Sequence, residues 1–134
     1  MKVVLATKTI QSINFFQNLT GSSVIDCIDE DNMLYFVVAK GQYGLTVGKG
    51  GEKIKNAEKV FRKPIKVIEY ADDAVSFIKN VVPSATDIIV KDNFVEIKIK
   101  PNERSKVIGK QGKNIKVINK FLKRLFSLEG LKIK

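Results

Sequence analysis

Apolar side chains recur at every second position in MLYFVVAK, at Leu34, Phe36 and Val38, and again in FVEIKIK, at Val95, Ile97 and Ile99, where Glu96, Lys98 and Lys100 alternate with them. A period of two is that of a strand with one buried face. Downstream of each run the period lengthens. In GKNIKVINKFLKRLF, Ile115, Ile118, Leu122 and Leu125 follow i, i+3, i+7, i+10 while Lys113, Lys116, Lys120 and Lys123 fill another face. This pattern predicts an amphipathic helix with one packed side and one wet, positive side. Upstream, TKTIQSINFFQNLTG sets Ile13, Phe16 and Leu19 at helical spacing with Gly21 as a stop. ADDAVSFIKNVVP sets Ala74, Phe77, Ile78 and Val81 on one face, with Asp72 as the candidate N-cap and Pro83 as the end. SVIDCID and ATDIIV then read as strands, as do IKVIEY (65–70) and LKIK (131–134), while DEDN (29–32) reads as a strand-to-strand turn. GQYGLTV and PNERSKVI leave room for one or two helical turns. Each half thus predicts helix, strand, strand, short helix, Gly loop, helix, strand.

The Gly loops are the strongest sign that the halves are related. VGKGGEKI holds Gly-x-x-Gly at 48–51 and VIGKQGKNI holds it at 109–112. A shift of 61 positions aligns residues 47–60 with 108–121, and Gly48, Lys49, Gly51, Ile54, Lys55 and Lys59 meet identical residues. Six identities in fourteen positions divide the chain into units 1–70 and 71–134. With almost no linker at Tyr70 to Asp72, a fixed mutual orientation is expected.

Two glycines bracketing two residues permit a tight turn and remove the Cβ atoms that would hold a ligand backbone away. A loop that opens a helix offers N–H groups and the positive end of the helix dipole to an anion. Lys49 and Lys110 add a mobile positive charge, so the loop suits a phosphate. A nucleotide-triphosphate loop would need a Ser or Thr after its lysine, but Gly50 and Gln111 stand there. The dinucleotide spacing G-x-G-x-x-G is absent from both copies. A single copy would be satisfied by a helix-capping turn. Two copies in one aliphatic frame, each with a loop lysine and a preceding strand, ask for more.

Charge points the same way. Twenty-four Lys and Arg against 14 Asp and Glu give +10, and the excess is uneven: 10 basic against 7 acidic residues in 1–70, 14 against 7 in 71–134. Polyanions are the matching partners. With no His, imidazole acid–base chemistry and His metal sites are excluded, and Cys27 alone permits neither an internal disulfide nor a Cys cluster. No metal and no cofactor are expected, and no carboxylate pair suggests an enzyme. The apolar run Val3–Ala6 is too short for a signal or a membrane span, so the chain reads as cytoplasmic, with no membrane partner, and as a monomer.

VGKGGEKI and VIGKQGKNI resemble the signature of the KH domain, a single-stranded nucleic-acid module whose GXXG loop clamps about four nucleotides. The extra helix and strand ahead of the core resemble the type II form. Two such units in tandem, joined by VIEYADDAVSFIKNVVPSA, are similar to the NusA family of transcription termination and antitermination factors, in the short archaeal form. The resemblance covers about residues 20–134 and departs slightly at Ser84 and Ala85. It implies an α+β chain of two tandem type II KH domains, each a three-stranded sheet packed against helices. It implies binding of single-stranded RNA and a role in transcription elongation or termination. Bacterial members carry an added polymerase-binding domain and an S1 domain, for which 134 residues leave no room. A contact with the RNA polymerase elongation complex is therefore a weaker implication than RNA binding. A second reading is a KH factor of ribosome biogenesis or the small ribosomal subunit.

On this reading Gly48, Gly50, Gly51, Gly109 and Gly112 let a nucleic-acid backbone approach, and Lys49 and Lys110 meet phosphates, with Gln111 an added hydrogen-bonding group. Val47, Ile54, Ile108 and Ile115 line the groove, and equally suit a core. Lys53, Lys113 and Lys116 reach backbone oxygens or form a solvated face. Tyr43 and Tyr70 are the candidates for stacking on bases.

Overall fold

The computed structural model describes residues 7–134; the Val3–Ala6 run lies outside them. Among the described residues the chain divides into two compact units between Tyr70 and Ala71. The first contains α1 (Thr7–Thr20), β1 (Val24–Glu30), β2 (Met33–Val38), α2 (Tyr43–Val47), α3 (Glu52–Phe61) and β3 (Ile65–Glu69). The second contains α4 (Ala74–Val81), β4 (Thr86–Lys91), β5 (Phe94–Lys98), α5 (Arg104–Ile108), α6 (Lys113–Phe126) and β6 (Gly130–Ile133). The chain is α+β, and the element order is the one the periodicities predict.

Both sheets have the same topology. β1 pairs antiparallel with β2, and β2 parallel with β3; β4, β5 and β6 repeat this order. The hairpins turn on Asp31–Asn32 (φ 49° and 63°) and Asp92–Asn93 (φ 52° and 64°). Two consecutive positive φ values are those of the two-residue turn whose twist matches that of the strands, and Asn and Asp tolerate them better than most residues. These turns also lie 61 positions apart, so the repeat reaches beyond the Gly loops. Parallel pairing of β2 with β3 requires a crossover, and α2, the Gly loop and α3 supply it.

In the first unit Phe16 of α1 stacks on Phe36 of β2, centroids 3.9 Å apart and 5° from parallel, within a cluster of Ile13, Cys27, Leu34, Val38, Ala57 and Ile65. Alternation in MLYFVVAK predicts one buried face, yet Tyr35 and Val37 are as buried as their neighbours. β2 is the central strand, and its apolar run is continuous, as befits a strand covered on both faces. In the second unit Val95 and Ile97 of β5 meet the expectation of one apolar face, and α6 buries Val117, Ile118, Phe121, Leu122 and Leu125. Helix α4 is capped by Asp73 rather than Asp72. The Asp73 carboxylate accepts from the Ser76 N–H at 2.9 Å, and its extended backbone (φ −127°, ψ 157°) is the geometry an N-cap adopts. No helix among the described residues is long and apolar enough to cross a membrane.

Candidate nucleic-acid interface

Helices α2 and α5 each end where a Gly-x-x-Gly turn begins, and the two turns have the same backbone. The first positions, Gly48 and Gly109, lie at φ 79°, ψ 171° and φ 79°, ψ 168°. The third, Gly50 and Gln111, lie at 63°, 17° and 56°, 28°, and the fourth, Gly51 and Gly112, at 76°, 16° and 74°, 17°. Three residues per loop are left-handed, not only the two bracketing glycines, and Gln111 holds such a conformation with a side chain.

The first glycine is needed by the loop itself. A Cβ on Gly109 would stand 2.8 Å from the Asn114 backbone nitrogen, and one on Gly48 would stand 2.8 Å from Cγ of Lys53. A Cβ on Gly50 would meet open space, so the bare backbone there faces outward. The helix-start N–H groups behave otherwise than expected. Gly51 N–H donates to Gly48 O and Gly112 N–H to Gly109 O, each at 3.1 Å, while Glu52 and Lys113 N–H donate to Lys49 O and Lys110 O. A phosphate at either loop would therefore meet the lysine, the exposed glycine backbone and the helix dipole, rather than those four N–H groups.

Lys49, Gly50, Lys110 and Gln111 are exposed, as is Lys116. Lys53 turns one of its three ammonium donors to Thr20 O at the end of α1, at 3.0 Å. A lysine at the C-terminus of a helix finds both an acceptor and the negative end of the dipole. Ile54 is half-buried and packs on the first unit's core cluster; Val47, Ile108, Lys113 and Ile115 are also half-buried. An open depression of about 480 Å³ continues along α3 to the turn before β3, lined by Lys55, Glu58, Lys59, Arg62, Lys63 and Pro64. Glu58 there accepts from Ile65 N–H at 2.9 Å, and Lys63 pairs with Asp29 at 2.6 Å. The acidic run at 29–31 thus contributes an ion pair and a turn residue.

Two positioning contacts lay outside the motif. Asn114 donates from Nδ2 to Lys106 O at 2.9 Å, tying α5 to the start of α6. Glu69 accepts from Tyr43 N–H at 3.1 Å, tying the start of α2 to the end of β3. The 61-position shift pairs Lys53 with Asn114, and that mismatch within a matching frame was the available signal.

No family model matches the chain. It is 38% identical over 138 residues to the probable transcription termination protein NusA of Methanocaldococcus jannaschii, covering 98% of this chain and 75% of the relative. The protein of that name from Methanococcus vannielii is 37% identical over 139 residues, covering 99% and 80%. The solved structure described as the crystal structure of APE1850 is similar with a TM-score of 0.79 and 30% identity, over 97% of this chain and all of that one. Identity at this level across nearly the whole chain places it, with its paired Gly-x-x-Gly turns, in the archaeal family of transcription termination protein NusA.

Proposed function

We propose that the chain is a single-stranded RNA-binding factor of transcription elongation and termination, built of two tandem type II KH domains at residues 1–70 and 71–134. Each Gly-x-x-Gly turn seats phosphates: Gly48, Lys49, Gly50 and Gly51 in one, Gly109, Lys110, Gln111 and Gly112 in the other. Ile54 and Ile115 form part of the groove walls, and Lys113 and Lys116 extend the cationic side. The observation that carries this reading is the coincidence of the two turns in backbone angles. A capping turn needs no lysine at its centre, no repeated frame and no +10 chain around it. Family membership favours transcription over ribosome assembly.

The test is a pair of double variants, Lys49→Asp with Gly50→Asp and Lys110→Asp with Gln111→Asp, each titrated with RNA beside its thermal melt. Aspartate tolerates the left-handed third position better than most residues, so folding survives while an incoming phosphate meets two negative charges. Affinity falls in each, with the melt retained. Unchanged affinity in both refutes the phosphate seats, and a collapsed melt assigns the loops to structure alone. Unpaired RNA binds better than a duplex of equal length, whose deep groove side chains cannot read.

A further inference from the structure

The two turns share a backbone but not their surroundings. In residues 104–116 five cations, Arg104, Lys106, Lys110, Lys113 and Lys116, stand with no acid; the matching window 43–55 holds Lys49, Lys53 and Lys55 against Glu52. Of those three lysines, Lys53 is bonded to Thr20 O. The first unit has something else. Where α5 carries Arg104 and Lys106, α2 carries Tyr43 and Leu45, 49% and 45% exposed. Gly41, Gly44 and Gly50 stand where the second unit has Asn102, Ser105 and Gln111, and a Cβ at any of the three would meet open space. Tyr43 is also fixed at its backbone by Glu69.

We propose that the two units hold RNA by different chemistry, the second by charge on its phosphates alone and the first by adding to its phosphate seat the stacking of a base on the Tyr43 ring. This rests on the proposal that both turns bind RNA. A flat ring beside bare backbone gives a base room to lie against it, and stacking on an aromatic face is largely independent of salt and of base identity. Cations on phosphates release counterions, which makes their contribution salt-dependent. Leu45 and the glycines leave apolar and bare surface beside Tyr43 where the second unit carries polar and cationic side chains, whereas the lysines of α5 and α6, joined through Asn114, concentrate charge at the second turn.

The experiment is a salt-resolved binding titration with a short unstructured oligoadenylate. It compares the wild type with Tyr43→Ala, Tyr43→Phe, and a triple variant Lys106→Gln, Lys110→Gln, Lys116→Gln. The triple variant flattens the log–log salt slope by about 2, at roughly 0.7 per phosphate contact. Tyr43→Ala weakens binding roughly tenfold at every salt concentration with an unchanged slope, and Tyr43→Phe binds as the wild type does. The chain has no Trp, so tyrosine emission is directly readable; RNA quenches it more in the wild type than in Tyr43→Phe, which keeps only Tyr35 and Tyr70. Full affinity in Tyr43→Ala, a quench undiminished in Tyr43→Phe, or an unaltered slope in the triple variant overturns the division. A wild type that binds no RNA removes the underlying proposal as well.

Discussion

Gln111 occupies a position whose partner in the other turn is glycine, and the two hold nearly the same left-handed backbone. That conformation costs a residue with a Cβ about 1–2 kcal/mol, more than the roughly 0.5–1 kcal/mol glycine loses through its greater freedom when unfolded. Gln111→Gly should therefore stabilise the second unit by about 0.5–1 kcal/mol, read from a denaturant midpoint; an unchanged or lower midpoint means the side chain contributes a compensating contact. Gly109→Ala goes the other way, by about 2 kcal/mol or more, because its new methyl meets the rigid Asn114 nitrogen as well as a positive φ. Gly48→Ala should cost less, since its nearest neighbour is the flexible Lys53 side chain.

At the scale of elements, a single carboxylate starts α4. Replacing Asp73 by Ala should cost about 1 kcal/mol and Asp72→Ala less, as thermal melts of the two variants would report; equal losses would mean the cap is shared. The sequence could not separate these adjacent aspartates, because either is a good cap and only the backbone decides. The elements themselves were legible, since a period of two and a period of 3.6 leave different marks and the 61-residue repeat doubled each sign. Burial of Tyr35 was not, because alternation reports one face, and the equally central β5 shows that position in the sheet does not bury the other. The turn glycines were legible as a motif, but the diversion of Lys53 to Thr20 depends on where α1 ends in space, which spacing along α3 does not encode.

For the whole molecule, charge and titration set the working range. With about four phosphates neutralised at roughly 0.7 each, RNA affinity should fall with salt at a log–log slope near −3; a slope near zero would remove charge as the driving force. Burial, followed by the Glu30 and Asp31 carboxylates, raises the Tyr35 phenol above its ordinary value of 10.0. Stability from this group is complete below pH 10 and declines as pH rises further, because the unfolded chain releases that proton first. Burial lowers Lys66, which works in the opposite sense, so Tyr35→Phe is needed to isolate the phenol: it should flatten the alkaline decline. Glu96 is held below its ordinary 4.5 chiefly by Lys134, whose ammonium stands 3.0 Å from Glu96 Oε1. Its contribution is present above pH 4.5 and is lost on acidification, and Glu96→Gln should make the melting temperature less sensitive to pH in that range.

The crossover that carries each Gly turn also orders events in time. The Asp-Asn hairpins join neighbours in sequence and can close in microseconds, whereas β3 and β6 must return past two helices and a turn to lie parallel to their partners. Detailed left-handed geometry in the turn is then among the last things to form. In stopped-flow folding, Gly109→Ala should quicken unfolding while leaving the refolding rate nearly unchanged. A turn completed so late is also the first to open, which would let an RNA strand enter and leave without disturbing the sheets.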